Sequence, residues 1–252
     1  MHSFKLAVVA AFIFCLTTTL KIPEMQSEIT HEKKEYSVAR LAGNLKIDGN
    51  WNKPEWSKVK AVRVSNRMGE KPPFEPVVEA KVMYNDSNVF VIFRVQDRFV
   101  KSTVTEINGP VSENSCVEFF FAPDTDKPLH YFNLEVNAGG TPLLFYVTKP
   151  WSGYTELSKD DIREIEIAHS LPSVVNPEIT DPTTWTIECR VPLSMLRKYA
   201  TITQPSPGVK WKANFYKTGS ATSNPNYLTW SKVEYPKPNF HLPEFFGTIV
   251  FE

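Results

Sequence analysis

Residues 112–143 read SENSCVEFFFAPDTDKPLHYFNLEVNAGGTPL and contain two apolar runs, each interrupted by a single carboxylate. The run at 116–121 carries Glu118, and the run at 131–136 carries Glu135. Both are rich in the β-branched and aromatic residues that suit a pleated, buried surface. The segment between them, APDTDKPLH, is a Pro/Asp loop, so the pair predicts a hairpin. Side chains alternate along a strand. Glu118 then shares a face with Cys116 and Phe120, while Val117, Phe119 and Phe121 take the other. A carboxylate is costly to bury unpaired in so apolar a strand. It has a partner, or it lines a concave face that receives something polar. Asn137 and the Gly139-Gly140 pair that follow read as a turn or bulge.

Outward from this hairpin, further strands are expected at 36–41, 61–66, 77–84, 88–97, 141–148, 162–170, 185–192 and 210–218, around 227–230 and at the C-terminal FFGTIVFE. Asn85-Asp86-Ser87 joins two of them as a hairpin. Short helical turns are expected at Pro54 and over 192–199, with Pro192 as a tolerated first residue. Residues 99–115 read as an irregular polar connection, and 149–161 as a loop carrying Trp151 and Tyr154. Trp51 and Trp56 are expected to pack at the edge of the core, and Asp97-Arg98 to be a solvated or salt-bridged strand end. The sum is an all-β, antiparallel sandwich of about eleven strands with one or two short helices.

In 252 residues, 28 Lys and Arg balance 28 Asp and Glu, so no basic excess points to nucleic acid. Twenty Pro against ten Gly, with 13% aromatics, suit strands joined by Pro-punctuated loops. The N-terminal MHSFK is followed by eleven apolar residues, 6–16, the layout of a secretory signal and too short to span a bilayer. Residues 1–27 are thus expected to be a signal peptide and leader, 28–35 a short linker and 36–252 the domain, secreted or held in the periplasm or at the cell surface. A lipid anchor on Cys15 would meet Phe14 where a small residue is usual. Export permits a disulfide between Cys116 and Cys189, but the two sit in different layers of the expected sandwich and read as free, buried thiols. There is no CxxC or HExxH, and the five His are isolated, so zinc has no support.

Two chemistries fit the carboxylates. Glu118 and Glu135 on adjacent strands are the pair a glycosidase would need, although no nucleophile or phosphate-loop motif accompanies them. Alternatively they belong to a sugar-binding face, where aromatic rings stack on sugar C–H surfaces and planar polar groups take the hydroxyls. Glu118, Glu135 and Asn137 are the polar candidates. Trp151, Tyr154, Tyr227 and Trp230 are the aromatic ones.

Seven stretches taken in order resemble family 9 carbohydrate-binding modules: IDGNWNKPEW (47–56), VMYNDSNVFVIFRVQD (82–97), NGPVSENSCVEFFFAPD (108–124), YFNLEVNAGGTPL (131–143), WTIECRVPLSML (185–196), WKANFYKT (211–218) and the stretch from Tyr227 to the C-terminus. The resemblance implies a jelly-roll or DOMON-like sandwich that holds a sugar between two Trp rings, works beside polysaccharide hydrolases, and in some members carries structural calcium. It puts Glu118 on the family's ligand-facing acidic position and Asn137 on its ligand-facing Asn. Glu135 stands where characterised sugar binders can carry a basic residue. Ser112 stands where the first sandwiching Trp is expected, Trp230 resembles a common late Trp, and Trp151 would be the substitute wall. The expectation is non-catalytic binding of an oligo- or polysaccharide. A glycosidase-associated or weakly catalytic domain using Glu118 and Glu135, and a DOMON-like haem or partner-binding module, are the alternatives. His130, His169 and His241 read as surface or strand-end residues, which leaves haem without an obvious axial pair.

Overall fold

In the computed structural model, residues 34–252 are described. The expected signal segment, Cys15 and most of the linker lie outside them.

The described chain opens with β1 (Glu35–Arg40) and a single turn, α1 (Pro54–Ser57), started by Pro54. β2 (Val62–Arg63) and β3 (Asn66–Arg67) divide what the sequence presents as one strand. β4 (Val77–Tyr84) and β5 (Asn88–Asp97) form the expected hairpin, its turn closed by Asn85 Oδ1, which accepts from the backbone N–H of Ser87 and Asn88. The polar connection that follows holds β6 (Val100–Ser102) and a 3-10 turn, Val111–Glu113. β7 (Cys116–Ala122) and β8 (Tyr131–Asn137) are the opening hairpin. β9 (Pro142–Leu143) and β10 (Phe145–Lys149) split the next expected strand, and β11 (Gly153–Glu156) returns along β10 inside the expected loop.

The strand expected at 162–170 starts late. Ser158 accepts the Asp161 N–H as an N-cap, and α2 (Lys159–Ile162) forms before β12 (Glu166–His169). β13 (Val175–Ile179) pairs with β6, and β14 (Thr183–Pro192) runs into α3 (Leu193–Leu196), of which Pro192 is the N-cap and not the first helical residue. β15 (Lys210–Thr218), β16 (Tyr227–Thr229) and β17 (Gly247–Phe251) complete the chain. The surplus over eleven strands consists of two- and three-residue pieces together with β11 and β13.

The strands form two facing layers. One runs β11-β10-β8-β7-β15-β17 and the other β4-β5-β14-β12. β1 joins them, pairing parallel to β17 through residues 35–38 and parallel to β4 through Ala39 and Arg40. All other pairings are antiparallel. Val117, Phe119 and Phe121 of β7 point into the shared core with Val91, Phe93 and Val95 of β5, Ile187 and Cys189 of β14, and Trp211 and Phe215 of β15. Phe93 meets Phe215 edge-on across the layers at 6.1 Å. Each such buried ring contributes about 1.5–3 kcal/mol relative to exposure. Cys116 and Cys189 are both buried and free, in separate clusters, as the strand phases imply.

The outer face of the second layer is covered as well. Glu188 of β14 points outward in phase, yet it is fully buried beneath the IDGNWNKPEW turn. Its carboxylate accepts from the Asp48 and Gly49 backbone N–H (2.9 and 2.8 Å), Lys53 Nζ (2.9 Å) and Trp56 Nε1 (2.7 Å). Trp51 packs there with Lys81 Nζ and the Arg94 guanidinium over its ring at 4.4 and 4.6 Å. Both tryptophans therefore belong to the core, as expected. Of the two expectations for Asp97, the salt bridge holds and the solvated strand end does not: it is buried, and its carboxylate pairs at 3.2 Å with fully buried Lys217 of β15, bridging the layers.

Candidate functional site

The outer face of β7 and β8 is set by register. Glu118 lies directly opposite Glu135, with Cys116 opposite Asn137 and Phe120 opposite Asn133 on the same face. Directly opposed residues bring their Cβ atoms to about 4.5–5.5 Å. The chain from Val233 to Phe246 folds over one half of this face, where Phe240 and Phe246 pack on Phe120, Tyr131 and Tyr216. The half left open holds two adjoining cavities. One, of about 190 Å³, is lined by Glu118, Glu135, Tyr227, Asn239 and Phe240, and the other, of about 300 Å³, by Asn133, Glu135, Phe145 and Tyr154. Ser112, Glu135, Trp151 and His241 line both.

Trp151 stands at the tip of the β10–β11 hairpin, 71% exposed. Its φ is +64°, in the left-handed region that costs an L-residue about 1–2 kcal/mol. A bulge between Val147 and Lys149 aims the tip, and the indole meets the His241 ring edge-on at 4.8 Å. Tyr154 stacks on Phe145 at 5.4 Å beside it.

The floor is acidic and buried. Glu118 is 2% exposed and Glu135 6%. Glu135 accepts one hydrogen bond, from Asn133 Nδ2 at 2.9 Å. The Glu118 carboxylate accepts none from any described residue. Desolvation, and then the charge of Glu135, push the Glu118 carboxyl well above its ordinary range, against the pull of Lys217. Desolvation raises Glu135 to about 7, against its hydrogen bond from Asn133. Burial lowers His241 to about 4, and its Nδ1 is hydrogen-bonded to the Tyr131 hydroxyl at 2.8 Å.

Of the seven residues singled out in the sequence, the structure brings five to the two adjoining cavities: Glu118, Glu135, Trp151, Tyr154 and Tyr227. It does not bring Asn137 or Trp230. Asn137 is fully buried, donates to Val104 O and Asn114 Oδ1, and accepts from the Thr141 N–H, so it builds the turn after β8. Trp230 lies in the main core against Phe215 (5.4 Å) and Tyr36 (6.4 Å). The reason is strand phase: Tyr227 and Thr229 lie across from Thr218 and Tyr216 on the outer face, and Leu228 and Trp230 fall on the inner one. His241, expected at the surface, is instead a wall of the site. Asn239, Phe240 and His241 escape sequence reasoning because they come from a remote loop with no periodic signal. Ser112 is among the lining of both cavities. Among the described residues no three His, Cys, Asp or Glu side chains converge as they would around a metal ion. No helix among them is long and apolar enough to cross a membrane.

A family model described as carbohydrate-binding family 9 matches residues 50–251. A structure from Bacteroides uniformis ATCC 8492, provisionally described as a carbohydrate-binding protein, superposes with a TM-score of 0.78 at 25% identity, over 87% of this chain and 100% of that one. Two structures of a family 9 carbohydrate-binding module from Caldicellulosiruptor kristjanssonii, one in complex with glucose and one with cellotriose, superpose with a TM-score of 0.59 at 18% identity. They are matched over 87% of this chain and 96% and 94% of theirs, a likeness of fold. No curated protein sequence matches.

Proposed function

Because the chain belongs to carbohydrate-binding family 9, we propose that the cleft beside Trp151 is where it takes a glycan, and that it binds without cleaving. One observation carries the reading: an exposed indole, held in a strained backbone conformation, shares a cavity with a buried carboxylate that lacks a protein partner. The indole offers an apolar face for the C–H surface of a sugar ring. Glu118 and Glu135 offer acceptors to its hydroxyls, and each such hydrogen bond contributes about 0.5–1.5 kcal/mol. Asn133 and Asn239 stand at the sides of the cavities with further polar capacity. Glucose and cellotriose, which the Caldicellulosiruptor modules bind, are natural first ligands to try.

Glycoside cleavage needs two carboxyl groups flanking the scissile bond, one protonated and one ionised. Glu118 and Glu135 rise side by side from one sheet face, beneath the same side of any ligand, which favours recognition over catalysis. The leader-like residues 6–16 support export and a role in polysaccharide recognition outside the cytoplasm. Calorimetric titration of the protein with neutral glucan oligosaccharides tests the reading. Saturable binding, weakened at least tenfold by Glu118→Ala, is the expected result. Absence of saturable binding across a panel of plant and microbial oligosaccharides overturns it.

A further inference from the structure

Trp151 lines three cavities: the two over Glu118 and Glu135 are lined by no Lys or Arg, and the third, of about 410 Å³, lies away from the pair and carries Lys149 together with Glu244. The nearby cation, Lys217, lies on the inner face of β15. Its Nζ is engaged by Asp97 (3.2 Å), Asn226 Oδ1 (3.2 Å) and the Thr218 carbonyl (2.9 Å). His241, the one basic side chain in the lining, is held neutral by burial. The remaining titratable groups packed on the pair are Cys116 of β7, Tyr131 of β8 and Tyr216 of β15, all kept neutral by burial, with Tyr227 of β16 at the rim. Beyond the pull of Lys217, whose charge Asp97 already shares, the protein supplies nothing to this face that compensates a second negative charge.

Building on the proposed glycan site, we infer that the cleft selects an amino sugar, a glycan unit carrying a free ammonium group, over its neutral and N-acetylated counterparts. An ammonium brings three donors and a positive charge to two opposed acceptors. Charge-assisted hydrogen bonds are roughly twice as strong as neutral ones. A hydroxyl brings one donor and no charge. An N-acetyl group brings one N–H and also a carbonyl oxygen, an acceptor facing acceptors. A uronic acid would add a further carboxylate to a face where the charge of Glu135 already disfavours that of Glu118. Glu118, with no protein donor, is the group this charge would satisfy, and Glu135, with one donor from Asn133, is the second.

The test is calorimetric titration of the whole protein with three β-1,4-linked trisaccharides that differ only at C2: cellotriose, the glucosamine trimer and the N-acetylglucosamine trimer. Glucuronic acid and a non-sugar triamine serve as charge controls. The expected order is the glucosamine trimer about tenfold tighter than cellotriose, the N-acetylated trimer weakest of the three, and no measurable binding of glucuronic acid. The isosteric double substitution Glu118→Gln, Glu135→Gln is expected to cancel the amino-over-neutral ratio. Should that variant not fold, the wild-type ratios and the controls decide. Equal affinity for cellotriose and the glucosamine trimer overturns the inference and leaves the glycan site standing. A triamine that binds as tightly as the glucosamine trimer overturns it too, since the preference would then be for charge alone. Binding of none of the three trisaccharides removes both readings.

Discussion

Trp151 gives the most informative single perturbation, because stability should separate its glycine and alanine variants while binding should fall equally in both. Its φ of +64° costs about 1–2 kcal/mol for any residue with a Cβ. Its ring is 71% exposed, so the folded state gains little from it beyond the edge contact with His241, about 0.5 kcal/mol. Trp151→Ala keeps the strain and loses the contact, a cost of about 0.5 kcal/mol. Trp151→Gly loses the same contact and relieves the strain, but gives back about 0.5–1 kcal/mol through the freer unfolded chain. Glycine should therefore be more stable than alanine here by roughly 0.5 kcal/mol, the reverse of an ordinary position. Binding should fall in both variants by about thirtyfold, the effect of losing a central aromatic anchor worth about 2 kcal/mol. Urea unfolding and calorimetry with the best neutral oligosaccharide measure the two quantities. Glycine less stable than alanine, or affinity within threefold of wild type in either variant, would refute the reasoning.

Glu188→Ala leaves buried Lys53 with Asp48 (2.9 Å) as its one remaining carboxylate and frees three further donors, and is expected to cost about 3 kcal/mol in urea unfolding. Glu135 is raised to about 7 in the folded protein, so the folded state holds a proton that the unfolded chain has released. The stability this provides is full below about pH 4.5 and is lost as pH rises through about 7, by at most ~1.4 kcal/mol per pH unit for each proton. Glu135→Gln should flatten that slope. His241 works in the other direction: lowered to about 4, it contributes stability above about pH 6.5 that is lost as pH falls through 4, and His241→Gln should flatten that limb. Gly139→Ala would drive a Cβ into the Ser173 carbonyl and should be markedly destabilising by thermal unfolding, whereas Gly208→Ala meets no atom and should cost only the strain of its positive φ.

Period-two alternation made the heart of this fold readable from residues alone. β4, β5 and β15 follow their alternating runs to the residue, because each is bounded by turn-forming residues or a change of pattern. The division of β7 between Glu118 and Phe119 faces followed from the same rule. Applied to Tyr227 and Trp230, it also separates them, since an odd spacing puts two residues on opposite faces; the aromatic character of Trp230 obscured this. Glu188 looks like an outward, solvated position within WTIECRV, and only the distant turn at 48–56 makes it the best-bonded carboxylate of the fold. β11 carries no apolar pattern because its residues are mostly exposed. α2 shows a cap outcompeting an alternating run. The walls contributed by His241 and Asn239 depend on the fold of residues 233–246 over β7 and β8, a tertiary event with no local signature.

Of the six tryptophans, five are at most 7% exposed and Trp151 alone faces solvent, so acrylamide quenching and the difference from Trp151→Gly separate its emission from that of the buried rings. Titrating the protein with cellotriose and the glucosamine trimer while following tryptophan fluorescence therefore observes the proposed wall of the site directly. A saturable blue shift with loss of acrylamide quenching, absent in Trp151→Gly, is what this account predicts. A saturable interaction detected by calorimetry that leaves the emission and the quenching of Trp151 unchanged would place the glycan elsewhere and contradict it.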